Sequence, residues 1–133
     1  MISRLDIKTT RRVEFVEITA RVRDIIAASG VKSGVCYVYV PHTTAGVVIN
    51  EHADPDVVAD MAAQLDVIVP QHRDYRHVEG NSPAHIKASL AGVSQSVFIE
   101  DGRPVLGTWQ GIFFAEFDGP RSRHALVKII ADA

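Results

Sequence analysis

Val97-Phe98-Ile99-Glu100-Asp101-Gly102-Arg103-Pro104-Val105-Leu106-Gly107-Thr108 sets two apolar runs on either side of a polar turn. Asp-Gly between such runs is the strongest short hairpin signal, because the tight turns that match strand twist need positive φ at their centre. Strands joined in this way lie antiparallel. Downstream, Trp109-Gln110-Gly111 turns the chain into the strand Ile112-Phe113-Phe114-Ala115-Glu116-Phe117. Asp118-Gly119-Pro120-Arg121-Ser122-Arg123 then feeds a last strand from His124 to Ile130.

The N-terminal half mixes periods. Leu5, Ile7 and Thr9 alternate with Asp6 and Lys8, and Val13 to Ile18 follows, so two strands are expected to pair across Thr9-Thr10-Arg11-Arg12. Thr19 is placed to cap a helix over Ala20 to Ser29, with Val22, Ile25 and Ile26 inward and Gly30 as the stop. Gly34 opens a strand running through Val40, apolar enough that both its faces are expected to be covered. Val47-Val48-Ile49 is the next strand. Asp54-Pro55 caps a helix through Asp66 with Val57, Val58, Met61, Ala62 and Leu65 at helical spacing. Asn81-Ser82-Pro83 reads as turn, N-cap and first residue of a helix ending at Gly92, with Ile86, Leu90 and Val93 toward the core. The order β-β-α-β-β-α-α-β-β-β-β predicts an α+β fold: one compact domain over 1–133, with a mixed or mostly antiparallel sheet and helices packed against it.

Composition narrows the function. A chain of 133 residues suits one domain and buries roughly two-thirds of its unfolded surface, enough for a core without staples. Net charge is −2 and no basic stripe is present, which argues against non-specific nucleic-acid binding. The single cysteine, Cys36, lies in an apolar run; it excludes an intrachain disulfide and fits a reducing compartment. The first residues contain no signal-peptide core and no apolar run approaches membrane-spanning length, so a cytoplasmic protein with no membrane partner is expected.

The chemistry-bearing residues concentrate in Tyr75-Arg76-His77-Val78-Glu79-Gly80-Asn81-Ser82-Pro83-Ala84-His85-Ile86-Lys87, a loop running into a helix. His77 and His85 there can converge on an ion or an anionic ligand, and His42, between a buried strand and a Thr-Thr turn, has no obvious turn role. Three imidazoles with an open fourth position would suit catalytic zinc; the plain alternative is histidines bonded to structural carbonyls. Arg121 and Arg123 form a candidate fork for phosphate or carboxylate, or else ordinary surface charge, and Lys87 can add a point charge. Glu116 interrupts an apolar strand; buried, it must be paired, protonated or metal-bound, and otherwise it faces water opposite Phe117. Glu51, beside Asn50, is a candidate proton acceptor or a partner orienting a ligand histidine. Trp109-Gln110 offers either a flat wall and an amide to a heteroaromatic ring or a core Trp with a turn Gln.

Pro41-His42-Thr43-Thr44-Ala45-Gly46 with Asn50-Glu51, Tyr75-Arg76-His77 with Asn81 to Lys87, Gly107-Thr108-Trp109-Gln110, and Glu116 to Arg123 together closely resemble the secondary thiamine-phosphate synthase family of small bacterial and archaeal proteins. The resemblance covers nearly the whole chain. It implies an α+β domain assembled as a homotrimer, a polar site near the subunit boundary, and some ability to join a pyrimidine diphosphate to a thiazole phosphate. The expected enzyme is a transferase or metal-assisted hydrolase acting on a small anionic or heterocyclic substrate. Glu51 and Glu116 would handle protons; Asn50, Lys87, Trp109, Gln110, Arg121 and Arg123 would hold substrate. His42, His77 and His85 would hold a divalent metal, zinc rather than magnesium on ligand type unless pyrophosphate chemistry calls for the latter. The rival expectation is a non-catalytic trimeric module that binds metal or anion.

Overall fold

Alternating burial along the strands and a few forced turns lay out the chain. In the structure, a computed structural model that describes Met1–Ala133, the elements run β1 (Ile2–Lys8), β2 (Glu14–Glu17), α1 (Thr19–Ser29), β3 (Ser33–Tyr39), β4 (Ala45–Glu51), α2 (Pro55–Ile68), α3 (Ser82–Ala91), β5 (Ser94–Glu100), β6 (Arg103–Pro104), β7 (Gln110–Glu116) and β8 (Ser122–Ala131). This is the α+β order read from the sequence. One sheet has the order β1-β8-β3-β5-β6 and the other β2-β7-β4. Every pairing in both is antiparallel. No helix is long and apolar enough to cross a membrane.

The Asp-Gly turn forms as its chemistry requires, with Asp101 at φ 52 and Gly102 at φ 75 joining β5 to β6. The second arm is not where it was expected: Arg103–Pro104, read as part of the turn, form it, and Val105 to Thr108, read as a strand, form none. The expected N-terminal hairpin does not form. β1 pairs with β8 and β2 with β7, so Thr9 to Arg12 carry the chain from one sheet to the other. Thr9 is buried at that crossing and its N–H donates to the Arg121 carbonyl at 3.0 Å.

The main core lies between the two sheets and is closed by α1. Leu5, Ile7, Cys36, Val38, Val97, Ile99, Ala125 and Val127 from the larger sheet meet Val47, Ile112 and Phe114 from the smaller, with Val22 and Ile26 of α1 between them. Burying a side chain of Phe114's size contributes about 2–3 kcal/mol. β3 covers only one face, contrary to its apolar reading, because Tyr37 and Tyr39 stand outward while Cys36 and Val38 point in. A tyrosine ring can lie half-buried with its hydroxyl in water.

The back of the smaller sheet carries a second cluster, where Ala115 and Phe117 meet Ala84 and Ala88 of α3. Phe15 meets Phe117 edge to face at 6.1 Å. Here the expected helix face is wrong by a quarter turn or more. Pro83, Ala84, Lys87 and Ala88 are buried, while Ile86 and Leu90 are exposed. Small residues win because α3 lies so close to β4 that a Cβ on Gly46 would collide with the Gly92 carbonyl. The helix spans Ser82–Ala91, so Asn81 rather than Ser82 stands at its N-cap. α2 is capped as read, with the Asp54 carboxylate accepting from the Asp56 N–H at 2.9 Å, yet none of its residues is buried.

Candidate functional site

Strand register divides the candidate residues into two groups. Along the β4–β7 pair Ala45 lies opposite Glu116 and Glu51 lies opposite Gln110. Six residues separate the two ends, about 20 Å at ~3.3 Å per residue. Glu116, Arg121, Arg123 and the start of α3 therefore belong to one end, and Asn50, Glu51, Trp109 and Gln110 to the other. Within one chain Glu51 and Glu116 do not meet.

At the first end a buried network holds the turn before β8. Glu116 has no exposed surface, and Arg123 is only 8% exposed. Arg123 Nε and Nη2 donate to the two Glu116 oxygens at 2.9 and 2.6 Å, a bidentate pair. Thr9 Oγ1 donates to Glu116 Oε1 at 2.7 Å, the Asp118 N–H donates to Oε2 at 3.0 Å, and Arg123 Nη2 also donates to Thr44 Oγ1 at 2.7 Å. Burial pushes the Glu116 carboxyl upward, but the bonds from Arg123, Thr9 and the Asp118 amide outweigh it and leave the group below the ordinary carboxylate range. The expected roles are corrected here: both oxygens of Glu116 are spent on the fold, and Arg123 grips Glu116 instead of a ligand.

Lys87 is likewise taken. Its side chain is 1% exposed and it forms an ion pair with Asp66 of α2, which Arg12 also approaches at 3.3 Å. The Lys87 bond, working against burial, holds the Asp66 carboxyl below its ordinary value. Arg121 remains open to solvent: its Nε donates to the Asp118 carbonyl at 2.8 Å and its Nη2 to the Asp118 carboxylate at 2.9 Å. Asn81 Nδ2 donates to the same carboxylate at 2.9 Å. That draws the Asn81 side chain off its capping task, for it makes no cap bond to α3. Asn81 Oδ1 is left buried with no partner, which costs on the order of 1–3 kcal/mol unless a donor arrives.

The imidazoles sort into two pairs. His77 and His85 stand edge to face with ring centroids 5.2 Å apart, across the turn that the Gly80 N–H closes on the His77 carbonyl. His42 pairs elsewhere. Its Nε2 lies 3.1 Å from both the backbone N and O of His124, and the two rings are 5.0 Å apart. β3 ends at Tyr39 opposite Leu126, so the imidazole serves the β8 backbone where the ladder has run out. Burial, then the charges of Arg123 and His124, lower the His42 pKa and keep the ring neutral. No group of three His, Cys, Asp or Glu side chains is arranged to hold an ion. The expected zinc site of His42, His77 and His85 is therefore not formed by this chain, because His42 is committed to the strand end.

At the opposite end the candidates also hold the backbone. Asn50 Oδ1 accepts from the Glu51 N–H at 2.7 Å, and Glu51 Oε2 accepts from the Asp54 N–H at 3.0 Å, just ahead of α2. Gln110 Oε1 accepts from the Gly107 N–H at 2.8 Å, while Trp109 is 63% exposed. The residues missed in sequence are Thr9, Thr44 and Asp118. Only the last carried a signal, as a carboxylate opening a Gly-Pro turn that leads into two arginines.

Comparison with known proteins finds relatives along nearly the whole chain. The chain matches the family described as UPF0047 protein YjbQ-like over residues 3–132. It is 54% identical to the UPF0047 protein MJ1081 of Methanocaldococcus jannaschii over 99% of this chain and 96% of that one. It is 50% identical to the UPF0047 protein YugU of Bacillus subtilis over 98% and 99%. The crystal structure of a YjbQ/UPF0047 family protein from Clostridium acetobutylicum superposes with a TM-score of 0.95 at 54% identity, covering 96% of this chain and 99% of that one. A YbjQ-like protein of unknown function from Sulfolobus solfataricus gives 0.95 at 35% identity over 99% and 97%. These relatives overturn the resemblance to thiamine-phosphate synthases: they carry UPF0047 names, and a thiamine-phosphate activity is not among what those names state.

Proposed function

The chain belongs to the YjbQ-like UPF0047 family, and on that footing we propose that its polar end recognises a small anionic heterocycle and that the chain works as a cytoplasmic homotrimer. The observation that carries the reading is Asn81, whose buried Oδ1 has no donor although its amide nitrogen is firmly placed. A ring N–H would satisfy that oxygen. The half-exposed guanidinium of Arg121 and the His77–His85 pair offer positive charge and donors to an anionic substituent on the same ligand. Imidazole can take and return a proton, so acid–base chemistry on that ligand is what the site offers.

Assembly is supported by α2, fourteen residues with an apolar stripe and no buried side chain. An apolar groove of about 320 Å³ lies between α2 and α3, lined by residues including Phe15, Leu65, Ile68, Leu90 and Phe117. A second copy packed over it would supply the missing cover beside the polar end. The reducing compartment rests on Cys36, buried, with burial pushing its thiol up to about 11.

Calorimetric titration of the purified protein with orotate, a pyrimidine carboxylate, tests the ligand reading against inorganic phosphate as the bare anion. Orotate is expected to bind more tightly than phosphate. Arg121→Ala and His85→Ala should each weaken it about tenfold, equivalent to ~1.4 kcal/mol, with unchanged melting. Absence of orotate uptake at millimolar concentration, or equal uptake by both variants, would overturn it.

A further inference from the structure

His52 lies apart from this end, and its surroundings are more organised than a surface histidine requires. Its Nδ1 is 2.9 Å from Glu17 Oε2. The same carboxylate oxygen accepts from Thr19 Oγ1 at 2.9 Å, and that hydroxyl in turn accepts from the buried Ile112 N–H at 2.8 Å. The backbone of His52 is fixed too, its N–H donating to the Trp109 carbonyl at 2.9 Å. Space for this arrangement depends on Gly111, where a Cβ would stand 2.7 Å from His52 Cβ and 2.9 Å from Glu17 Oε2. Because a carboxylate only accepts, Nδ1 carries the proton, and in the Nδ1–H tautomer Nε2 is the acceptor the ring turns outward.

The ring borders a cleft of roughly 430 Å³ between β2, β7 and the first turns of α2. Its walls are Val13, Phe15, Val58, Ala62 and Phe113, with Arg11, Glu14 and the capping Asp54 also on its lining. Register places these polar groups at opposite ends: Glu17 faces Phe113 beside His52, whereas Glu14 faces Glu116. Three residues of β2 separate them, about 10 Å. Arg11 enters none of the ion pairs of the chain. An apolar trough with an oriented acceptor at one end and a free guanidinium toward the other matches one ligand shape.

We propose that this cleft binds a small aryl carboxylic acid bearing a phenolic hydroxyl, its ring between Phe15 and Phe113, its hydroxyl donating to His52 Nε2 and its carboxylate on Arg11. Glu17 is a positioning residue that sets the tautomer. Thr19 and Gly111 hold Glu17 and His52 in place.

The probe is 3-(4-hydroxyphenyl)propionate, with 3-phenylpropionate lacking the hydroxyl and tyramine lacking the carboxylate. Binding to the full chain is followed by calorimetry and by the imidazole ¹⁵N resonances of His52. The full probe should bind at least tenfold more tightly than either analogue and shift the Nε2 resonance. His52→Leu should abolish the preference over 3-phenylpropionate, and Arg11→Met the preference over tyramine. Ala62→Phe should block all three by filling the trough, while a melting curve confirms that the variant folds. An unmoved His52 resonance at millimolar probe, equal affinity for the three compounds, or hydroxyl preference retained in His52→Leu would sink the proposal. Closure of the trough by a neighbouring copy would appear as the first of these results.

Discussion

A carboxylate with no exposed surface keeps its charge only while donors meet both oxygens, and Glu116 is met by Arg123, Thr9 and the Asp118 amide. Breaking one side of such a pair costs far more than the pair contributes, because the survivor is stranded. Glu116→Gln should therefore lower stability by about 3–5 kcal/mol in urea melts, while Glu116→Leu with Arg123→Met should recover part of the loss. The acid limb follows from the depressed carboxyl. A group whose folded pKa lies below its unfolded value adds stability above the unfolded value, here near 4.5, and loses it as pH falls through the folded one. The wild-type protein should lose stability below about pH 4.5 with a steeper slope than the double variant; parallel slopes would refute the assignment. In sequence these two residues were visible as special but not as each other's partners. The spacing of Glu116 and Arg123 says nothing of a turn that brings them back together, and Thr9 lies 107 residues from Glu116. Asn81 was legible as a turn former, whereas its unpaired oxygen depends on Asp118 reaching it from another element.

Among the elements, α3 shows where pattern reading stops. Its stop at Gly92 was legible, and its start to within one residue, from Asn81, Pro83 and Gly92. Its rotation was not, because Ile86 and Leu90 carry more apolar surface than the alanines that it buries. What decides the face is proximity. Gly46 lets the helix lie against the β4 backbone, and at that distance only Ala84 and Ala88 fit over Ala115 and Phe117. Ala88→Leu inserts extra methylene groups into this contact and should cost about 1–3 kcal/mol by thermal or urea melting. Ile86→Ala, on the outer face, should cost under about 0.5 kcal/mol in the isolated chain. Equal penalties at the two positions would mean that the helix is seated differently. The strands were easier to read because a period of two leaves only two choices of face, and even β3 went wrong only where tyrosines can face water.

For the molecule as a whole, the exposed apolar surface is not scattered. Ile68 of α2 and Leu90 of α3 flank the groove that also reaches Phe15 and Phe117, and Val67 and Ile86 lie exposed beside it. A fourteen-residue helix with none of its side chains buried receives little packing support from its own chain. Its ties to the body include the Asp66 contacts with Lys87 and Arg12 and the packing of Leu65 against the cluster around Ala88 and Phe117. The proposed assembly puts this contiguous apolar surface between copies of the chain, and closed symmetry is the usual form for such copies. A homotrimer built on this groove should dissociate to monomers in light scattering when Ile68→Glu and Leu90→Glu are combined. The freed monomer should also melt at a lower temperature, with the difference growing as concentration rises, because assembly stabilises by mass action. Phe98→Glu, on the outer face of the larger sheet where Phe98 is 70% exposed, is the contrasting variant. If that single change dissociates the assembly while the groove variant stays trimeric, the contact runs through the sheet and the cover over α2 must come from elsewhere.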